Sequence, residues 1–256
     1  MPCPVYFHRD DVEFGLRQKG FLHLNGICVW HEEFENKPFS RNEYYDARNK
    51  LIVNAIHCPH YNKAMVAKEL IRDVLKKLIA YRYREAKLIL TGVRDFCRGA
   101  EWVIAHDCGE YHDALVQQGY HASPAAQYGK NLDLMEHEQN LSVSAPCGKL
   151  KKAMRCILGF LLPANHNTTV PMFMPQLKCF YRVKKAICYN AATETAYVVE
   201  KSMRETRCVL KELIGTVGCV MQKFDTTAAQ WREHAPYYAT AEFWTDHIHF
   251  EQGDIE

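Results

Sequence analysis

Between residues 62 and 83, apolar side chains recur at helical spacing: Val66, Leu70, Ile71, Val74, Leu75, Leu78 and Ile79. Lys68, Arg72, Asp73, Lys76 and Lys77 fall on the other side. A stripe with that period is buried as one face of a helix, so this segment commits the chain to packing a helix against something apolar. Two short apolar runs follow, residues 87–90, ending at Thr91 and Gly92, and residues 102–105. Each reads as a buried strand. A helix, a strand, a loop and a strand in succession predict an α/β layer architecture. Further strands are expected at 21–30, with a turn near Asn25 and Gly26, and at 197–199, 216–221 and 247–250. A second helix is expected over 205–214. Residues 31–50 are polar and charged, and read as a surface loop or a short helix. Residues 121–148 carry Ser, Pro, Gly and Asn throughout and read as a long loop or insertion, the kind of segment that is often functional. Residues 149–162 are basic at their start and apolar at their end, with Met154, Ile157, Leu158, Phe160, Leu161 and Leu162. They suit either a core-facing helix or a segment lying in a membrane interface, where Cys147 or Cys156 would be open to acylation.

Composition narrows the class. A chain of 256 residues that is 48% apolar can bury a sizeable core in one large domain. A formal net charge of +2 is too small for a general attraction to nucleic acid, so any such contact needs a local patch. Eleven cysteines do not make a complete disulfide framework. Residues 1–29 carry Asp10, Asp11, Glu13 and Arg17 where a secretory leader would be apolar. Reduced thiols are therefore expected, and the useful question is which of them bind metal. No apolar run reaches the roughly 20 residues of a membrane-spanning helix.

Three constellations could carry chemistry. His106 and Cys108 flank Asp107 just after an expected strand, and could offer an imidazole nitrogen and a thiolate to one zinc ion. Cys179 and Cys188, flanking Arg182, Lys184 and Lys185, could complete its tetrahedron. Equally, these are free thiols beside a core histidine, as Cys97, Cys208 and Cys219 are expected to be. His57, Cys58, Pro59 and His60 lie directly before the long helix. There His60 would stand near the positive end of the helix dipole, placed to attack a phosphoryl centre or simply exposed at the helix start. Gly92, after the run at 87–90, would let backbone approach a ligand closely, or merely turn the chain.

In this order the pieces resemble the methyltransferase–guanylyltransferase (capping) domain of alphavirus-like RNA viruses, which include hepeviruses and tobamo- and tymo-like plant viruses. That domain has a histidine opening a helix, a strand ending in a glycine turn, a His/Cys pair after the next strand, and later a Cys pair leading into another strand. Residues 54–115 and 176–225 carry the similarity. The resemblance implies a divergent Rossmann-like methyltransferase sheet with flanking helices and a structural zinc held by His106, Cys108, Cys179 and Cys188. It implies an N-terminal extension (1–53), a histidine-helix and cofactor half (54–120), an insertion (121–163) and a zinc-completing half (164–256). It further implies S-adenosylmethionine at Thr91, Gly92 and Asp113, magnesium, methylation of GTP at N7, and transfer of 7-methyl-GMP through His60 to a viral RNA 5′ end. Glu200 would contact guanine. Other replicase subunits, a peripheral membrane contact, a homo-oligomer and a location in the host cytoplasm come with it. Two positions depart from the family: Leu90 stands where an acid is usual, and Asp113 is followed by Ala114, Leu115 and Val116 without the usual arginine. Both bear on binding of the methyl donor.

Two other readings fit the same residues. A zinc-stabilised binding module, such as a viral accessory or nucleic-acid-binding protein, would hold metal without forming a histidine adduct. A different zinc enzyme would keep one metal position open, whereas four ligands can be nominated here. Tyr237, Tyr238, Phe243 and Trp244 suit stacking on bases and core packing equally.

Overall fold

The computed structural model of the chain describes residues 3–5, 7–20, 40–106, 109–141, 157–173 and 175–247. In chain order its elements are α1 (Asp10–Leu16), α2 (Asn42–His57), α3 (Lys63–Ile79), α4 (Tyr83–Phe96), α5 (Ala100–His106), α6 (Gly109–Gln118), β1 (Ser123–Pro124), a 3-10 helix (Ala125–Asn131), α7 (Leu134–Leu141), β2 (His166–Pro171), a second 3-10 helix (Leu177–Phe180), β3 (Val183–Asn190), β4 (Thr195–Glu200), α8 (Met203–Tyr238) and α9 (Ala241–His247). Residues 157–161 are also helical. The architecture is mixed α/β: many helices and one small four-stranded mixed sheet.

The stripe at 62–83 folds as a helix, α3, that ends at Ile79, earlier than expected; residues 80–82 turn the chain, with Tyr81 at a φ of 57°, and Tyr83 begins α4. Asn62 caps α3, its side-chain oxygen accepting from the amides of Ala64 and Met65 at 3.1 and 3.2 Å. Val66, Leu70, Val74 and Leu78 are buried, and each such side chain contributes roughly 1.5–3 kcal/mol. Ile71 and Leu75 stay exposed on the helix flank. Strand β4 contains the expected 197–199, and the expected helix at 205–214 lies inside α8.

Several expected strands are helices. Residues 87–90 lie inside α4, residues 102–105 inside α5, and residues 216–221 near the middle of α8. The physical reason is shared. A short apolar run bounded by glycine fits a buried strand and a buried helix equally, and the surrounding period decides. In α4 that period is Tyr83, Ala86, Leu90, Val93 and Phe96, all buried. In α8 it is Val209, Leu213, Thr216, Val220 and Phe224. Thr216, a β-branched residue that favours strands, is accommodated because its hydroxyl donates to the carbonyl of Glu212 at 2.9 Å. Residues 42–50 belong to α2, the helical of the two readings, though not a surface one: Tyr44, Tyr45, Arg48 and Asn49 are its inward side. Residues 121–141 form β1, a 3-10 helix and α7 rather than an irregular loop. In 157–161 only Phe160 packs on the core; Ile157, Leu158 and Leu161 are exposed. The expected strand at 21–30 lies outside the described residues, as do residues 142–156 with Cys147 and Cys156. His247, the first residue of the last expected strand, ends α9.

The sheet has the order β1-β4-β3-β2. β2 and β3 are parallel; the other two pairs are antiparallel. β2 is an edge strand, and α7 lies along it: Glu136 accepts from the Thr168 hydroxyl at 2.7 Å and the Thr169 amide at 2.9 Å. Side chains alternate across β3 and β4. Ala186, Cys188, Tyr197 and Val199 join the main core with α2, α3, α4 and α8. Ile187, Tyr189 and Ala196 point to the other face, under the 3-10 helix at 125–131.

The sheet and helices are locked by buried charge. Glu85, wholly buried in α4, accepts from Lys77 at 2.6 Å and from Arg82 at 3.4 Å. Lys77 also donates to Glu43 of α2, and Arg82 donates to the carbonyl of Met172. Burial pushes the Glu85 carboxyl up, but Arg82 and Lys77 outweigh it and hold its pKa below the ordinary value.

Candidate ligand-binding cleft

Three of the four residues expected to hold zinc, His106, Cys179 and Cys188, occupy unrelated surroundings. His106 is exposed at the end of α5, stacked on Trp102 at 4.2 Å between ring centres. Cys179 donates to the side-chain oxygen of Asn140 at 3.2 Å. Cys188 is fully buried in β3; burial raises its thiol pKa, and the Arg82 guanidinium partly opposes this. Cys108 lies outside the described residues. Among the described residues no three His, Cys, Asp or Glu side chains gather as a metal would require.

The expected cofactor turn is helix. Thr91 accepts from Arg94 on the surface of α4 at 3.0 Å. Gly92 does permit a close approach, but of α2: a Cβ there would meet the backbone of Tyr44 and Arg48. Asp113 is exposed on α6. His60 is exposed in the turn between α2 and α3, two residues before the cap of α3, and its carbonyl accepts from Asn62 at 3.1 Å. Tyr238 and Phe243 are buried, Trp244 packs on the core and Tyr237 is exposed, so the aromatic tail serves mostly as packing.

A different arrangement forms on the outer face of the sheet. Tyr128, Asn131, Asn167, Lys185, Ile187 and Val198 line a cleft of about 290 Å³. Alternation along β3 and β4 places Lys185, Ile187 and Val198 on this face. The 3-10 helix forms one wall: the Ala125 amide donates to the carbonyl of Glu194 at 2.8 Å, and the Tyr128 hydroxyl donates to the carbonyl of Ala196 at 3.2 Å. Ile187 and Val198 give an apolar floor, and Asn131 and Asn167 add amide donors and acceptors. Lys185 forms no ion pair among the described residues. Glu200 is its register partner across β3 and β4, on the same face and exposed. Lys130 and Lys184 are exposed nearby in sequence. The volume lies just under the roughly 300–1,000 Å³ of drug-sized ligand sites, enough for one small molecule. Of these residues, Lys185, in its basic run, and Glu200 are the ones with a signal in the sequence. The available signal for the wall was the length of the 121–148 segment.

The chain matches no protein-family model, and no curated protein matches it.

Proposed function

We propose that this chain is a binding module whose outer sheet face holds a phosphate-bearing ligand of mononucleotide size. The observation that carries the reading is Lys185: a cation that forms no ion pair among the described residues, lining a concave site with an apolar floor. Its ammonium would meet phosphate as a point charge. The Tyr128 ring and the Ile187 and Val198 side chains would lie against a flat base, while Asn131, Asn167 and Glu200 would satisfy ribose or base hydrogen bonds. Capping through His60, with S-adenosylmethionine, magnesium and a Rossmann-like cofactor half, draws less support, because the segment meant to form its glycine turn is mid-helix. A structural zinc draws little, because its four nominated ligands include a thiol sealed in the core beside a guanidinium.

Calorimetric titration with guanosine monophosphate, guanosine and inorganic phosphate tests the reading. Binding of the monophosphate, weakened at least about tenfold by Lys185→Gln, is expected; tenfold corresponds to about 1.4 kcal/mol. No binding, or binding indifferent to Lys185→Gln, overturns it. Incubation with labelled GTP, S-adenosylmethionine and magnesium should leave no covalent label. A label lost in His60→Ala would favour capping instead.

A further inference from the structure

The exposed flank of α8 carries an apolar seam that the fold leaves uncovered. Ile214 is 74% exposed, and Met203, Leu210 and Met221 are exposed along the same side. Asp225 on this flank pairs with Lys63 of α3 at 2.7 Å, so the seam borders α3. The opposite flank of α3 faces α2, through Glu69 with Lys50 and Lys77 with Glu43. Ile71 and Leu75 therefore lie on the α8 side of α3, and both are exposed. Contiguous exposed apolar surface between two packed helices marks an interaction site.

The seam is self-complementary about Thr216. Arg207 and Asp225 stand nine residues to either side of it, and Ile214 and Gly218 two residues to either side. All four share one helix face. In an antiparallel pairing of two copies, with the two-fold axis outside the helix and level with residue 216 (Thr216 itself is on the buried side), each Ile214 meets the partner's Gly218 and each Arg207 meets the partner's Asp225. Gly218 is solvent-exposed, and a Cβ added there would meet nothing within 4 Å, so no packing inside the chain requires a glycine. Glycine is a poor choice in the interior of an exposed helix unless something must approach closely. Asp225 is 64% exposed despite its bond to Lys63 and so can accept from a second cation. Arg207 is exposed as well.

We infer that this face is a homodimer interface, formed by antiparallel α8 helices with α3 alongside. A two-fold contact demands that one patch complement itself, and the charge and shape pairs about Thr216 do so. The strip from Arg207 to Asp225 is about 27 Å long and two helices wide, on the order of 500 Å² per copy. About 1,000 Å² in total suits a reversible, concentration-dependent dimer rather than an obligate one. The proposal is independent of the cleft, which uses other residues.

Sedimentation velocity of the full chain across the micromolar range tests it. The wild type should dimerise, and Ile214→Asp should weaken association at least about tenfold while leaving circular dichroism unchanged, since the side chain is exposed. Arg207→Asp and Asp225→Arg should each weaken association, and the double swap should restore it. A monomer at every concentration, a dimer indifferent to Ile214→Asp, or a double swap no better than the single variants overturns the proposal.

Discussion

A Cβ on Gly92 would stand 2.5 Å from the carbonyl oxygen of Tyr44. The obstacle is backbone on α2, not a side chain that can swing away, so α2 and α4 touch because residue 92 lacks a side chain. Gly92→Ala should therefore destabilise the fold by about 1–3 kcal/mol through overpacking. This outweighs the gain of up to about 1 kcal/mol that alanine brings to an isolated helix. Urea unfolding measures it; a midpoint equal to or above the wild type would show that the helices can part freely.

Glu85→Gln should be costlier. Glu85 neutralises Lys77 and Arg82 in an enclosed site, and the substitution leaves two cations with Glu43 as their nearby carboxylate. Removing one partner of a buried ionic group costs roughly 3–5 kcal/mol. Chemical denaturation should show a loss in that range, and a loss under about 1 kcal/mol would mean that the network is screened like a surface pair.

His137 gives the fold a pH dependence with a definite sign. Burial lowers its pKa below the ordinary value, partly opposed by its bond to the Tyr189 backbone. Below about pH 6.5 the unfolded chain takes up a proton that the folded chain resists. Stability that is full at neutral pH is therefore lost as pH falls from there through the folded pKa, and the loss levels off below it. Melting temperature recorded between about pH 7.5 and about pH 5.5 should fall (one unit either side of the ordinary histidine value), and His137→Gln should flatten part of that fall. An unchanged slope would place the dependence on other groups.

Chelation provides a fourth test. With Cys188 enclosed in the core against Arg82, a dication would have to displace packed side chains and face a guanidinium. Incubation with a strong chelator should leave the melting temperature unchanged. A drop, together with zinc found by metal analysis, would restore the metal reading and require Cys188 to move.

The helices with a clear polar face were legible in the sequence. Residues 63–79 and 205–214 alternate apolar and charged positions at helical spacing, and they fold so. Where helices are buried on several sides the signal fails. In α4 only Arg84 among residues 83–93 is exposed, so the run at 87–90 loses its polar contrast and looks like a strand. α2 fails for the opposite reason: its inner face uses Arg48 and Asn49, polar groups satisfied inside the protein. The cleft was barely legible because its residues come from four segments, the 3-10 helix at 125–131, β2, β3 and β4, that only the folded sheet brings together. Lys185 read as one cation in a basic run, and nothing local to Tyr128 or Asn167 announces a shared wall.

The 36 residues of α8 pack against α2, α3, α4, α5 and α9. Its inner seam, from Val209 to the fully buried Trp231, contributes to one core that also takes in the inner sheet face. Helices that share a single strut cannot open one at a time. Amide hydrogens in the middle of α8 should exchange with solvent only when the whole molecule unfolds, and proteases should find no stable fragment that keeps α3 and α4 without it. The chain would behave as one cooperative unit, in which damage to the strut is registered everywhere at once.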